Sequence, residues 1–298
     1  MRHLWSAHAR DSLQSNLQEL RVHPRLLGPV DAFPMNLSDL ASQVRTASRV
    51  MMETGARVEP RPWGIFISSP EFPLYDLGNC AWIDRWPHGF TVEDVIEEVA
   101  ERCAEHRIPK ERIYFMDSRL ALPVRAALEE AGFAARASYE MIHLRRTDVE
   151  PSADVTVREA THAEDIAAVW ALMGEGLRED GFPEEDARQI LAFSPPKYEK
   201  LSIHLFLADV DGHPAGYATM FSHSGVGYIL DLFTRTPDRR RGVGSSLVLH
   251  LVSASREAGN RITGLTTSST NDPAQTMYRK LGFFAAGEER YVVRDAAR

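Results

Sequence analysis

Hydrophobic and polar positions change period several times along this chain, and each change predicts an element. Between 37 and 54, Leu40, Val44, Ala47 and Met51 recur every three or four residues, the spacing of one helical face. Residues 63–68 read as a strand, a Pro- and Gly-rich turn follows, and 79–85 read as a second strand. Thr91-Val92-Glu93-Asp94 then opens a helix that runs to about 105, with a Thr cap and acids in its first turn. A short apolar strand at 112–116, a helix at 120–131 ended by Gly132, and a strand at 137–144 complete this half. Upstream, 1–35 carry little pattern beyond a short helix at 12–20 and an ordered loop from His23-Pro24 to Phe33-Pro34.

Residues 148–154 are polar and aperiodic around Glu150-Pro151-Ser152, and mark a boundary. Beyond it, 155–159 form a strand, and 164–178 form a helix with Ile166, Val169, Trp170 and Met173 on one face. A second helix covers 184–193. Strands at 204–210 and 214–221 are joined by Asp211-Gly212, a hairpin turn that wants positive φ. A strand at 228–234, a helix at 242–258, a strand at 262–266, a short helix at 273–281 and a strand holding 290–293 follow. The order β-α-α-β-β-β-α-β-α-β is that of an α/β module.

The two halves end alike. A helix leads into Gly132-Phe133 and a strand in the first, and into Gly282-Phe283 and a strand in the second; Arg112-Ile113 and Arg261-Ile262 sit at nearly the same offset. Glycine ends many helices, but several elements agreeing at one offset predict a duplication. The chemistry is not duplicated. Where the second half has Arg239-Arg240-Arg241-Gly242-Val243-Gly244, the first reads Arg85-Trp86-Pro87-His88-Gly89-Phe90.

The chain has 298 residues, 44% hydrophobic and 26% charged, enough for one large core or two. Residues 1–150 hold 18 Lys and Arg against 22 Asp and Glu, and the rest 16 against 20, so each half carries −4. Neither is a nucleic-acid grip. Only Cys80 and Cys103 are present, with no metal-ligand spacing; a disulfide framework and a metal centre are not expected, and Cys103 reads as a small buried thiol. The first residues are charged and polar, and no apolar run reaches a membrane span. The expectation is a cytoplasmic protein without membrane partners, as a monomer or homodimer.

Arg239–Gly244 lies between an apolar strand and an apolar helix. Such a turn brings unpaired N–H groups and the positive end of a helix dipole to one point, with arginines at its edge and no Cβ on Gly242 or Gly244. That is an anion cradle suited to a pyrophosphate. Ser245-Ser246 after Gly244 does not spell a phosphate loop, and the third glycine of a dinucleotide fingerprint is missing. Taken alone, the run also reads as solvated arginines at a helix start.

It does not stand alone. Asp231-Leu232-Phe233-Thr234, then Arg239-x-x-Gly242-x-Gly244, then Asn271-x-x-Ala274-x-x-x-Tyr278-x-x-Leu281-Gly282-Phe283 resembles the GNAT acetyltransferase family over nearly all of 155–298. Thr236 stands where that family commonly has proline, with Pro237 next to it. The first half resembles a worn copy, with Ala121 and Leu128 in place of Asn271 and Tyr278. The resemblance implies an N-terminal extension (1–35), a degenerate GNAT-like domain without a CoA loop (36–150) and a catalytic GNAT domain (155–298). Each domain would be a mixed, mostly antiparallel sheet flanked by helices.

The resemblance also implies the chemistry. Acetyl-CoA would be the cosubstrate, without a metal, and a small-molecule or peptide amine would attack its thioester directly in a ternary complex. Leu232, Phe233 and Thr234 would pair with the pantetheine arm, and an N–H there would polarise the carbonyl. Arg239, Arg240, Arg241, Gly242, Val243, Gly244 and Ser245 would hold the pyrophosphate, and Asn271 the pantetheine or its own helix. Tyr278 would protonate the leaving thiolate. Asp231 is the leading general base, with Glu175, Glu179 and a water chain as alternatives. His204, His213 and His223 read as surface or satisfied histidines. A non-catalytic acyl-CoA-binding or regulatory module, and transfer of a longer acyl group, stay open.

Overall fold

A computed structural model describes residues 36–143 and 147–296; the helix expected at 12–20, the loop after it and the end of the strand expected at 144 lie outside them. The helices are α1 (Leu37–Glu53), α2 (Val92–Glu105), α3 (Arg125–Glu130), α4 (Ala163–Glu179), α5 (Glu184–Leu201), α6 (Val243–Glu257) and α7 (Asp272–Lys280). The strands of the first half are β1 (Arg57–Arg61), β2 (Gly64–Ser68), β3 (Cys80–Ile83), β4 (Lys110–Phe115) and β5 (Ala134–His143). Those of the second are β6 (Val155–Glu159), β7 (His204–Val210), β8 (His213–His223), β9 (Val226–Thr234), β10 (Ile262–Ser268) and β11 (Phe283–Asp295).

Three elements differ from the sequence reading. The helix expected to stop at 193 continues to Leu201 through Pro195 and Pro196. Proline removes an N–H and crowds the preceding turn, yet Ser194 keeps its hydroxyl on the Ile190 carbonyl at 2.7 Å and the last turn packs Tyr198 into the core. The helix expected at 120–131 is a 3-10 turn at Ser118–Ala121 followed by α3. β1, whose Arg57, Glu59 and Arg61 are polar and whose Pro60 argues against a central strand, was not visible as a strand; it lies at the sheet edge, where proline is tolerated.

The sheet corrects the expectation of two separate ones. All eleven strands form a single sheet in the order β1-β2-β3-β4-β11-β5-β10-β9-β8-β7-β6. The halves exchange their last strands: β5 lies between β10 and β11, and β11 between β5 and β4. The order is symmetric about the β11–β5 pair, apart from β6. Only β3–β4 and β9–β10 are parallel, as strands joined by a crossover helix must be. This is a mixed, mostly antiparallel sheet flanked by helices.

Alternation along β7 sends Leu205 and Leu207 into one core with α4 and α5, and Phe206 and Ala208 into another with α6. α1 lies across the seam between the halves, packing Leu40, Val44 and Ala47 on Trp82 from β3, Tyr228 from β9 and Ile262 from β10. Charge is buried beneath it. Arg45 pairs with Glu140 of β5 at 2.5 Å, Glu289 of β11 is also buried, and burial pushes both carboxyls up.

Candidate active site

β9 is where the sheet opens. It pairs with β10 only from Val226 to Ile229, so Leu230 to Thr234 have no strand partner on that side among the described residues. On its other side β9 stays paired with β8, but with an extra residue between the Ala218–Leu232 and Met220–Ile229 pairs. Such a bulge bends the strand and re-aims its side chains. Asp231 stands on it. On the β10 side, 230–234 thus present a strand edge without a strand partner among the described residues, facing a gap that an extended ligand can fill.

The strand ends in the cradle. Gly242 has φ +89° and caps α6 without a side-chain hydrogen bond, and Arg240 also lies in the left-handed region. Ser246 is the first residue of α6 whose N–H finds a carbonyl, that of Gly242 at 2.9 Å. The earlier N–H groups at Val243, Gly244 and Ser245 face the helix start with no acceptor among the described residues. A Cβ at Gly242 would come within 2.8 Å of the Ser152 Cβ, so the inter-half segment lies against this turn and leaves no room for a side chain. Arg239 donates to the Thr234 carbonyl at 3.1 Å and to Glu179 at 2.7 Å; Arg241 pairs with Asp211 at 2.8 Å, while the Arg240 side chain is exposed with no partner among the described residues.

α7 borders the same turn, with the Met277 sulfur 3.3 Å from where a Cβ on Gly244 would stand. Asn271 is the N-cap of α7, its Oδ1 accepting the Ala274 N–H at 3.3 Å. Tyr278 is 7% exposed and packs on Phe283 at 5.7 Å between ring centres. Its hydroxyl has no hydrogen-bond partner among the described residues, and burial pushes its pKa up to about 12.

Of the carboxylates considered as bases, Glu175 is held by Arg235 at 3.0 Å and Glu179 by Arg239 and the Thr236 hydroxyl, each at 2.7 Å. Asp231 is differently placed. Its Oδ2 accepts from the Tyr198 hydroxyl and, at 3.3 Å, from Thr219, while Oδ1 has no partner among the described residues. Burial raises its pKa, against the lowering effect of Tyr198, Lys197 and Thr219. His204 meets Glu159 at 2.6 Å and His213 meets Asp238 at 3.5 Å, both well exposed, as a surface role requires.

Asp231 also lines a cavity of about 280 Å3 between α4, α5, β8 and β9. Its far wall comes from the first half, as Tyr75, Asp76 and Leu77. Tyr75 is fixed from behind by Lys197, which is 1% exposed and donates to the Tyr75 hydroxyl at 2.9 Å and to the Met51 sulfur of α1 at 3.1 Å. Burial lowers the Lys197 pKa to about 7, with Asp231 pulling the other way. Gly176 on α4 makes the approach to β9 possible, since a Cβ there would stand 2.9 Å from the Phe233 ring.

Sequence reading missed Tyr75, Lys197, Tyr198, Tyr217 and Thr219. One signal was present: Ile190, Ser194 and Tyr198 repeat at i, i+4 and i+8 across the prolines, and all three line the cavity. Tyr75 had none, because its loop reaches the cavity only through the tertiary fold. Among the described residues, no group of three or more His, Cys, Asp or Glu is placed to hold a metal, and no helix is long and apolar enough to cross a membrane.

Comparison with known proteins fits this geometry. The chain superposes on a GCN5-related N-acetyltransferase from Kribbella flavida with a TM-score of 0.62 at 18% identity, over 89% of this chain and 97% of that one. A functionally unknown conserved protein from Staphylococcus epidermidis gives a TM-score of 0.64 at 16% identity, covering 83% and 96%. A GCN5-related N-acetyltransferase from Sphaerobacter thermophilus gives 0.54 at 17%, covering 82% and 76%. At such identities the likeness is one of fold. No curated protein matches the chain. The model of the acetyltransferase (GNAT) family matches residues 169–283, a stretch that holds the open strand β9, the cradle and α7. Residues 169–283 of this chain are thus a domain of the GNAT acetyltransferase family.

Proposed function

We propose that the protein is an acetyl-CoA-dependent N-acetyltransferase that passes an acetyl group to a primary amine by direct attack in a ternary complex. The observation that carries this reading is the unpaired edge of β9 at 230–234, which joins an uncapped helix start on one side to a cavity holding Asp231 on the other. The free N–H groups at Val243–Ser245 and the arginines around them suit the pyrophosphate of CoA. The residues present fit this cosubstrate. The Leu232–Thr234 edge would hold its pantetheine arm, and an N–H of that edge would stabilise the oxyanion that develops at the carbonyl.

The remaining steps belong to side chains. Asp231 offers a free Oδ1 and a raised pKa, both of which favour taking a proton from the acceptor ammonium. Tyr278, held protonated by burial, gives its proton to the departing thiolate. The first half supplies the Tyr75–Leu77 wall, so it serves the acceptor side without a cradle of its own. The test is release of CoA thiol from acetyl-CoA in the presence of a panel of amines. Amine-dependent release is expected, with Tyr278→Phe lowering kcat by about a hundredfold and leaving the KM for acetyl-CoA unchanged. Should acetyl-CoA bind while no amine accelerates release, and Tyr278→Phe change nothing, the protein is a binding module and this reading is wrong.

A further inference from the structure

The cavity beside Asp231 is small, apolar and lacks a basic residue. At about 280 Å3 it lies at the lower end of ligand pockets, which run from about 300 to 1,000 Å3. Its walls are aromatic and aliphatic (Tyr75, Tyr198, Tyr217, Phe233, Met173, Ile190), and the partly exposed Phe182 stands at its edge.

The charged groups in this wall are of one sign. Asp231, Asp180 and Asp76 line the cavity, and no Lys, Arg or His does among the described residues. Asp76 is already matched by Arg112 at 2.6 Å and by Lys110 at 3.6 Å. Asp180 is exposed and has no ion partner among the described residues, and Asp231 keeps its Oδ1 free. Of the cations on the neighbouring elements, Arg235 is paired with Glu175 and Arg239 with Glu179, and Arg178 of α4 and Lys200 of α5 do not line the cavity. Lys197 does not line the cavity: it is 1% exposed and sealed behind Tyr75, to whose hydroxyl it donates at 2.9 Å.

Tyr217 adds a second, independent observation. It is 6% exposed, it lines the cavity, and its hydroxyl has no hydrogen-bond partner among the described residues. The hydroxyl is not among the fully buried atoms left without a partner, so it opens into the cavity, where a ligand can reach it. Burial and the nearby Asp231 and Asp180 carboxylates raise its pKa, so this hydroxyl sits in the field of both. An ammonium beside it would satisfy all three groups; a carboxylate would be desolvated among like charges with no counter-ion.

We propose that the acceptor is a small primary amine with an alkyl or arylalkyl body and no carboxylate, seated in the cavity shared by α4, α5, β9 and the Tyr75–Leu77 loop. This rests on the acetyl-transfer reading above. Three acceptors of matched body separate charge from bulk: 2-phenylethylamine, phenylalaninamide and phenylalanine, each assayed by thiol release from acetyl-CoA. The expected kcat/KM for 2-phenylethylamine exceeds that for phenylalanine by about a hundredfold, with phenylalaninamide within about tenfold of the amine. Asp180→Arg, which puts a cation at an exposed position on the rim, is expected to narrow the gap between phenylalanine and 2-phenylethylamine by about tenfold.

Phenylalanine acting as well as its amide, or an unchanged ratio in Asp180→Arg, overturns the proposal. So does turnover of an amino sugar when all three fail, an outcome that leaves acetyl transfer standing. Failure of every amine removes the acetyl-transfer reading itself.

Discussion

β3 runs into α2 and β9 runs into α6, each through eight residues, 84–91 and 235–242. At α2 the chain closes its own helix start. The Thr91 hydroxyl accepts the Asp94 N–H at 3.2 Å, the Asp94 carboxylate accepts the Thr91 N–H at 2.7 Å, and those bonds hold the Asp94 pKa below its ordinary value. The strand gap is closed too, since β3 pairs with β4 up to Ile83 and Met116 adds a further bond to the Ile83 carbonyl at 3.0 Å. At α6 the helix start is uncapped, and the gap beside β9 stays open over 230–234. The same connection therefore serves two ends. Where an internal carboxylate occupies the helix N-terminus it is a structural joint; where no side chain caps it, the N–H groups are left for the pyrophosphate proposed above.

The contrast can be broken at several points. The largest effect is expected from separating the halves: 150–298 alone lacks β5, which lies between β10 and β11, and the Tyr75–Leu77 wall, and should lose activity altogether. Full activity in that fragment would show that the first half is dispensable. Next, Ser245→Asp places a carboxylate at the third helical position of α6, as Asp94 stands in α2. The KM for acetyl-CoA should rise more than about tenfold while the circular dichroism spectrum is kept; an unchanged KM would mean that the pyrophosphate does not sit on this helix start.

Lys197→Met tests how the halves communicate. The Lys197 charge lowers the pKa of Asp231, so removing it should push that pKa further up. Activity that needs ionised Asp231 is lost as pH falls through this pKa, and the acid limb of the kcat/KM profile should move to higher pH. A limb that stays in place would disconnect Lys197 from Asp231. The smallest effect belongs to the closed turn: Thr91→Ala should cost about 1 kcal/mol in denaturant unfolding and leave the KM for acetyl-CoA unchanged.

Much of this was legible along the chain because it is local. Capping at Thr91, the turn at Asp211-Gly212 and the glycines at 132 and 282 depend on neighbours a few residues away, and β6 and β7 fall where their alternation puts them. Asn271 was legible as a motif residue and is seen as a cap. The run of α5 through Pro195 and Pro196 was not legible, because local propensity counts the lost N–H groups and cannot count the burial of Phe193, Lys197 and Tyr198 that holds the last turn.

The sequence by itself determined the GNAT motifs within 169–283, the glycine turn ahead of α6 and the two matching helix starts, since each is a property of residues within one turn or one strand. Only the tertiary structure decided which strand lies beside which. β5 and β11 follow the same helix–Gly-Phe signal, so either could be read as the neighbour of β10; packing of α1 over the seam accompanies the exchanged arrangement. It also decided the cavity. Tyr75 and Lys197 are separated by 122 positions and meet at 2.9 Å, a contact that no spacing rule encodes. Strand pairing and buried contacts are selected by burial summed over the whole core, while caps and turns are selected by the residues that form them.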